Sequence, residues 1–311
     1  MIMNPFVFTV NPAVYLIIAM VVWGSSFAAM KLAVTVYDPI LITFVRLLIA
    51  SGVFLGLRRG FGPIRYRRGD WRWLTLMALF EPVLYFALEA NALRFTSSAA
   101  AATVIALLPL SVALAAQWLL HEVVSGRLYA GLLVSVVGVI LLTGTDEQTA
   151  LSPQPWLGNA LEFLAMLCAV GYTLAVKRLS AHYSALLLTA AQAFIGSVLY
   201  LPLLPFAAIP VVVDGPAMLA VLYLGAVVSV LAYLCYNYAL GQLPASQVAA
   251  YSSLIPVFAA FFGWWLVGET LTLVQSIAML LVLAGVIYSQ TGSATLDSQA
   301  VLNPVKSQPA G

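Results

Sequence analysis

The sequence predicts an all-α polytopic membrane protein: ten transmembrane helices arranged as two inverted five-helix repeats. Three observations predict it. The first is composition. Of 311 residues, 63% are hydrophobic and only 8% charged, with a mean hydropathy of +1.03, whereas a soluble domain carries about 25% charged residues. The second is a series of ten apolar stretches, each near the roughly 20 residues that a helix needs to cross a bilayer. The third is self-similarity, because displacing the sequence by 147 positions brings its halves into register without a gap. A fixed offset means two copies of one structural unit. Copies with an odd number of spans must lie upside down relative to each other, as in many secondary transporters.

The spans follow in order. The first copy holds 12–34, 38–57, 72–93, 97–119 and 126–144, and the second holds 156–176, 184–205, 216–240, 244–267 and 271–290. Repeats are therefore expected at 12–144 and 156–290. Asp38-Pro39, Ser97-Ser98, Gly144, Ser152-Pro153, Asp214-Gly215 and Pro244 punctuate the short connections. The tail 291–311 is polar, and its composition predicts disorder. The first run reads as a span rather than a cleavable leader, since it exceeds an h-region and no Lys or Arg precedes it. Within the repeat, Ala92-Leu93 lands on Ala239-Leu240, Pro109 on Pro256, Trp118-Leu119 on Trp265-Leu266, Glu122 on Glu269, and Gly24 on Gly171. Gly138-Val139-Ile140 lands on Gly285-Val286-Ile287, and about a quarter of positions between 91 and 140 are identical.

Basic residues predict the orientation. Arg58, Arg59, Arg65, Arg67, Arg68 and Arg72 cluster between spans 2 and 3, which makes that loop cytoplasmic and puts both termini on the cytoplasmic side of the cell (inner or plasma) membrane. Arg127, Lys177, Arg178 and Lys306 fall on the same side. Lys31 and Arg94 lie near outer ends, with Asp146, Glu147 and Asp214 outside. Glu122 and its mate Glu269 then sit at opposite faces, as inversion requires. Cys168 and Cys235 lie in apolar runs without disulfide or metal spacing. The chain has no G-x-x-x-x-G-K-[ST], H-E-x-x-H or G-x-S-x-G, and its two histidines, His121 and His182, lie near cytoplasmic ends. An enzyme is not expected, nor a cofactor, metal or nucleic-acid partner. The expected partners are a small-molecule substrate and the lipid bilayer, with a monomer sufficient for transport.

One set of residues resembles a known family. Trp23-Gly24-Ser25-Ser26-Phe27 is followed by Ser98-Ala99-Ala100-Ala101-Ala102, by Leu107-Leu108-Pro109-Leu110, and by Trp118-Leu119-Leu120-His121-Glu122 with Gly131 and Gly138-Val139-Ile140. The second copy reads Ala245-Ser246, Leu254-Ile255-Pro256, Leu266-Val267-Gly268-Glu269 and Gly285-Val286. This resembles the EamA-type domain of the drug/metabolite transporter superfamily, present twice over about 12–290. The resemblance implies a ten-helix carrier of small organic solutes, frequently an exporter. It also implies that helices 3, 4, 8 and 9 wall a central cavity. It does not identify the solute, because one fold serves many cargoes. The first copy departs from the usual Gly-Glu pair in having His121-Glu122.

A charge inside a span demands a partner or a wet cavity. Arg46 in span 2, Glu81 and Glu89 in span 3, and Glu162 in span 6 are such charges. Glu162 is close enough to the outer interface to be expected wet. Glu81, Tyr85 and Glu89 share one helical stripe by i, i+4, i+8 spacing, and Arg46 lies at a depth between the two acids. Either Arg46 pairs with one of them, or a carboxylate lines the cavity and binds a substrate ammonium or carries a proton. Glu89 maps onto Tyr236 and Phe86 onto Tyr233. Tyr233, Tyr236 and Asn237 form a second stripe in span 8, and Thr103 in span 4 with Gln247 and Tyr251 in span 9 complete the expected cavity. In the deep half of the cavity carboxylates come only from the first copy, and the second supplies phenols and amides. That suits amino acids, aromatic ones included, or related zwitterions. The alternatives are proton-coupled export of amphiphilic cations and uncoupled facilitation. Pro109 and Pro256 fall mid-span and are expected to kink or gate spans 4 and 9.

Overall fold

The computed structural model describes residues 11–61, 66–120, 126–145, 148–210 and 213–290. Arg65, His121, Glu122, Asp146, Glu147, Lys306 and the tail 291–311 lie outside the described residues. Eight helices are long and apolar enough to cross a membrane: α1 (Pro12–Val34), α2 (Pro39–Gly56), α3 (Asp70–Phe95), α4 (Ser98–Leu119), α6 (Pro155–Leu179), α7 (Ala185–Phe206), α8 (Gly215–Leu240) and α9 (Ala245–Val267). Two more, α5 (Gly126–Thr145) and α10 (Leu273–Gln290), carry shorter apolar stretches. The chain is a multi-pass membrane protein whose helices form two inverted sets of five.

The punctuating residues act as helix caps. Asn11, Asp38, Ser97, Ser184 and Asp214 each accept a backbone N–H in the first turn of the helix that follows. Pro12, Pro39, Pro155 and Pro216 occupy first-turn positions, where a missing N–H costs nothing. Such a cap contributes about 1 kcal/mol.

The helix ends alternate between two faces. The near face is the one where α1 begins, and the far face is where it ends. The two copies interleave, for α1 packs against α8 and α9, whereas α6 packs against α3 and α4. Close approach explains Gly24, where a Cβ would lie 2.3 Å from the Phe258 Cβ. The mates α5 and α10 pack along each other, and the Ser135 hydroxyl donates to the Val282 carbonyl at 3.1 Å, between residues 147 apart. Gly138 and Gly285 lie in that contact. Trp118 (80% exposed) and its mate Trp265 (63%) project from opposite faces, where amphipathic rings suit the membrane interface.

Three spans are broken rather than continuous. In α3, Glu81 leaves helical geometry (φ −149°, ψ 118°) just before Pro82. In α4 the helix stops at Ile105 and restarts at Leu108. In α9 a tighter turn at Tyr251–Leu254 precedes Ile255. Pro109 and Pro256 thus each sit in the first turn of a new helical segment, and the break lies immediately before them.

Candidate functional site

The breaks converge on a cavity of about 40 Å³ at the centre of the bundle. That is room for about three waters, so the side chains have closed around it. Trp23 of α1, Arg46 of α2, Glu81, Tyr85, Phe86 and Glu89 of α3, Tyr172 and Thr173 of α6, and Tyr233 and Tyr236 of α8 line it, with Ile105, Leu108 and Ile255 beside the breaks of α4 and α9.

Each polar group is held by a specific partner. Non-helical backbone at Glu81 turns its carboxylate to accept the Tyr233 hydroxyl. The Tyr85 hydroxyl donates to Glu89 Oε1 at 3.0 Å, one turn along α3. Arg46 is 1% exposed. Its guanidinium carbon lies 3.7 Å from the Phe86 ring centroid and its Nε donates to Ser229 at 3.1 Å. It therefore acts on Glu81 and Glu89 through space rather than by a hydrogen bond. Low dielectric strengthens such an interaction relative to water.

Aromatic rings form the remaining wall. Trp23 packs on Tyr233 and Tyr236 with centroids 5.2 and 4.9 Å apart, and Phe86 and Tyr172 meet Tyr233 edge-on. Thr173 and Tyr236 hydroxyls lie 3.0 Å apart. The Trp23 Nε1–H is buried without a hydrogen-bond partner, an unusual state for a buried donor. It belongs to a residue that lines the cavity.

Of the residues expected from sequence, Arg46, Glu81, Tyr85, Glu89, Tyr233 and Tyr236 line the cavity. Four do not. Asn237 is one layer back, with its side-chain oxygen 2.8 Å from the Tyr172 hydroxyl and its amide donating to Thr189 at 3.0 Å. The Thr103 hydroxyl bonds back to the Ala99 carbonyl of its own helix at 2.7 Å. Gln247 is exposed and Tyr251 half-buried, because Ala245, Val248, Ala249 and Ser252 form the buried face of α9 there. Sequence reasoning missed Trp23, Tyr172 and Thr173 as cavity residues. Trp23 was visible only as part of the Trp23-Gly24-Ser25-Ser26-Phe27 pattern.

Glu162 is a correction. Its place near a span end predicts a wet carboxylate, yet it is 0% exposed. The connection before α6 folds back over the far face. Thr149 and Ser152 pair, Gln154 N–H donates to the Phe95 carbonyl at 3.1 Å, and Lys31 donates to the Leu151 carbonyl. Under that cover, the face of α6 that packs on α3 buries Asn159 and Glu162.

The comparisons with known proteins agree with this architecture. A model of the EamA-like transporter family matches residues 11–144 and again 156–290. An uncharacterized transporter of Archaeoglobus fulgidus is 28% identical over 284 residues, covering 89% of this chain and 96% of that protein. An S-adenosylmethionine/S-adenosylhomocysteine transporter of Chlamydia trachomatis serovar L2 is 29% identical over 269 residues, covering 80% of each. A solved crystal structure superposes with a TM-score of 0.68 at 20% identity, covering 92% of this chain and 98% of the other, which is a likeness of fold. With both halves matched, the chain belongs to the EamA-like transporter family.

Proposed function

We propose that this transporter is a secondary carrier that exports amino-acid-type zwitterions, aromatic ones included, across the cell's inner membrane by alternating access. The near face is cytoplasmic in this reading, because Arg58, Arg59, Arg67, Arg68, Lys177 and Arg178 all lie there. The observation that carries the substrate class is the pairing of opposite chemistries in one cavity. Glu81 and Glu89 accept an ammonium group. Arg46 and the unpartnered Trp23 N–H suit a carboxylate, and Phe86, Tyr172, Tyr233 and Tyr236 suit an apolar or aromatic body. A site with a buried N–H left open discriminates strongly for a ligand that fills it. S-adenosylmethionine and S-adenosylhomocysteine, named in the chlamydial relatives, are themselves amino acids with a large planar group and fall within the class.

Since the cavity holds about three waters, substrate entry requires the broken helices α3, α4 and α9 to part. Matched breaks before Pro109 and Pro256 let each copy open its own face. The test is counterflow in proteoliposomes with labelled phenylalanine, tryptophan and S-adenosylmethionine beside a lipophilic cation. Exchange of at least one amino acid supports the reading, and exchange of the cation alone overturns it. Export predicts that cells overproducing the chain tolerate a toxic amino-acid analogue, whereas sensitisation would reverse the direction.

A further inference from the structure

Glu162 stands outside the cavity and outside the mechanism above. It is fully buried in α6, two turns from the far face, and neither carboxylate oxygen has a hydrogen-bond partner. An ionised carboxylate left unpaired in such surroundings costs several kcal/mol, so the group is stable there only while it holds a proton or faces a cation. It does not line the cavity, and its burial leaves room for nothing larger than a proton.

The elements packed against α6 decide what it feels. α3 presents Glu89 and Tyr85 to it. α4 carries no acid or base, those of α5 (Arg127 and Tyr129) lie at the near face, and the tyrosines of α8 and α9 belong to the cavity or beyond. Two cations lie on neighbouring helices. Arg46 is engaged with Phe86 and Ser229, and Lys31 is held by backbone carbonyls at the far face. Arg94, at the far end of α3, is exposed. Three buried carboxyls, Glu81, Glu89 and Glu162, thus stand against two buried cations, Arg46 and Lys31. Electroneutrality calls for protons on the excess. A polar ladder runs from the far face to within one turn of Glu162. The Thr96 hydroxyl donates to Asn159 at 2.8 Å, Asn159 donates to the Thr143 hydroxyl at 3.2 Å, and Asn159 lies one turn from Glu162 on α6.

We propose that Glu162 and Glu89 form an exchangeable proton site beside the substrate cavity, loaded from the far face along Thr96 and Asn159. A proton from bulk water bonds to a carboxylate oxygen of the pair on loading. The same O–H bond breaks on release, with the proton returned to water or displaced when a substrate ammonium neutralises Glu89. This deepens the carrier reading, because it supplies the ion that would drive uphill export.

The test needs no substrate, so its outcome is independent of the amino-acid reading. Full-length protein in liposomes is followed by infrared difference spectroscopy as the pH is raised and lowered. The wild type is expected to show a protonated-carboxyl C=O band that disappears reversibly. Glu162→Gln is expected to lose one carboxyl's share of it and to move the midpoint of the remainder, and Glu162→Asp is expected to retain a pH-responsive band. Glu89→Gln should act reciprocally. A wild-type band that ignores pH overturns the proposal, as does a Glu162→Gln spectrum that superimposes on it. The aspartate variant, run with a monodispersity check, separates loss of the proton site from loss of the fold.

Discussion

The two copies differ least where they hold the fold and most where they meet the cavity. Lys31 of α1 donates to the carbonyls of Leu93 and Thr96 at 2.6 and 2.7 Å, closing the far end of α3. Lys177 of α6 donates to Leu240 and Leu243 at 2.9 and 2.7 Å, closing the near end of α8. The four carbonyls are repeat mates 147 apart, while the lysines are 146 apart, so each ammonium reaches its carbonyls from a position one residue out of register. The clasp survives that displacement because an ammonium on a flexible stem reaches the last carbonyls of a helix from several registers. In the cavity the copies diverge, as Glu89 faces a second copy that has Tyr236, and Glu81 one that has Val228. Scaffold tolerates identity, whereas binding an asymmetric solute requires asymmetry.

The largest effect that tests this division is at Glu81. Glu81→Gln keeps an acceptor for the Tyr233 hydroxyl but removes the charge. Losing a charged hydrogen bond costs about 1.5–3 kcal/mol. Counterflow is expected to fall roughly 10- to 100-fold with the thermal midpoint in detergent nearly unchanged. Equal loss of stability would make Glu81 a scaffold residue.

The clasps come next. Lys31 is 2% exposed and takes a third carbonyl, that of Leu151, whereas Lys177 is only partly buried. The far face is tied further by Glu269. Gly268, in left-handed conformation (φ +75°), ends α9 and turns Glu269 back, so that its carboxylate accepts the Ser98 N–H at 2.9 Å at the start of α4. A carboxylate at a helix N-terminus is favourable. Lys31→Met is expected to destabilise by about 2 kcal/mol and Lys177→Met by about 1, read as thermal midpoints in one detergent. The reverse order would break the inference that the far face is the more firmly closed.

Tyr236 belongs to the second copy's share of the cavity. Its hydroxyl has Thr173 for a partner at 3.0 Å, so Tyr236→Phe removes a neutral hydrogen bond worth about 1 kcal/mol. Counterflow should fall only about fivefold. A loss as deep as that of Glu81→Gln would mean that the phenols, not the acids, hold the substrate.

Hydropathy made the fold legible because bilayer thickness sets helix length. The expected 12–34 is Pro12–Val34, and the expected 156–176 is Pro155–Leu179. The α3 break was legible too, since Pro82 removes a donor in mid-span. The site was legible in its charges, because Arg46, Glu81 and Glu89 have few reasons to sit in hydrocarbon. Helix phase was not. Gln247 and Tyr251 precede or begin the tight turn before Ile255, and only packing shows that they face away. Glu162 was misread because depth along a helix says nothing about the 148–154 connection folded over it.

The smallest expected effect lies at the near face, where the chain holds itself by a loop. The Tyr183 hydroxyl, between α6 and α7, donates to Asp70 at 2.7 Å at the start of α3. Burial, and then the bond to Asp70, raise this tyrosine above its ordinary range. A group whose folded value is raised contributes stability that is complete below its unfolded value and lost as pH climbs through the folded one. Wild-type protein should therefore lose a fraction of a kcal/mol, about 0.5, only in alkaline solution. Tyr183→Phe should lose that amount at neutral pH and flatten the alkaline decline. If Tyr183→Phe left the alkaline decline unchanged, the bond to Asp70 would not be its source.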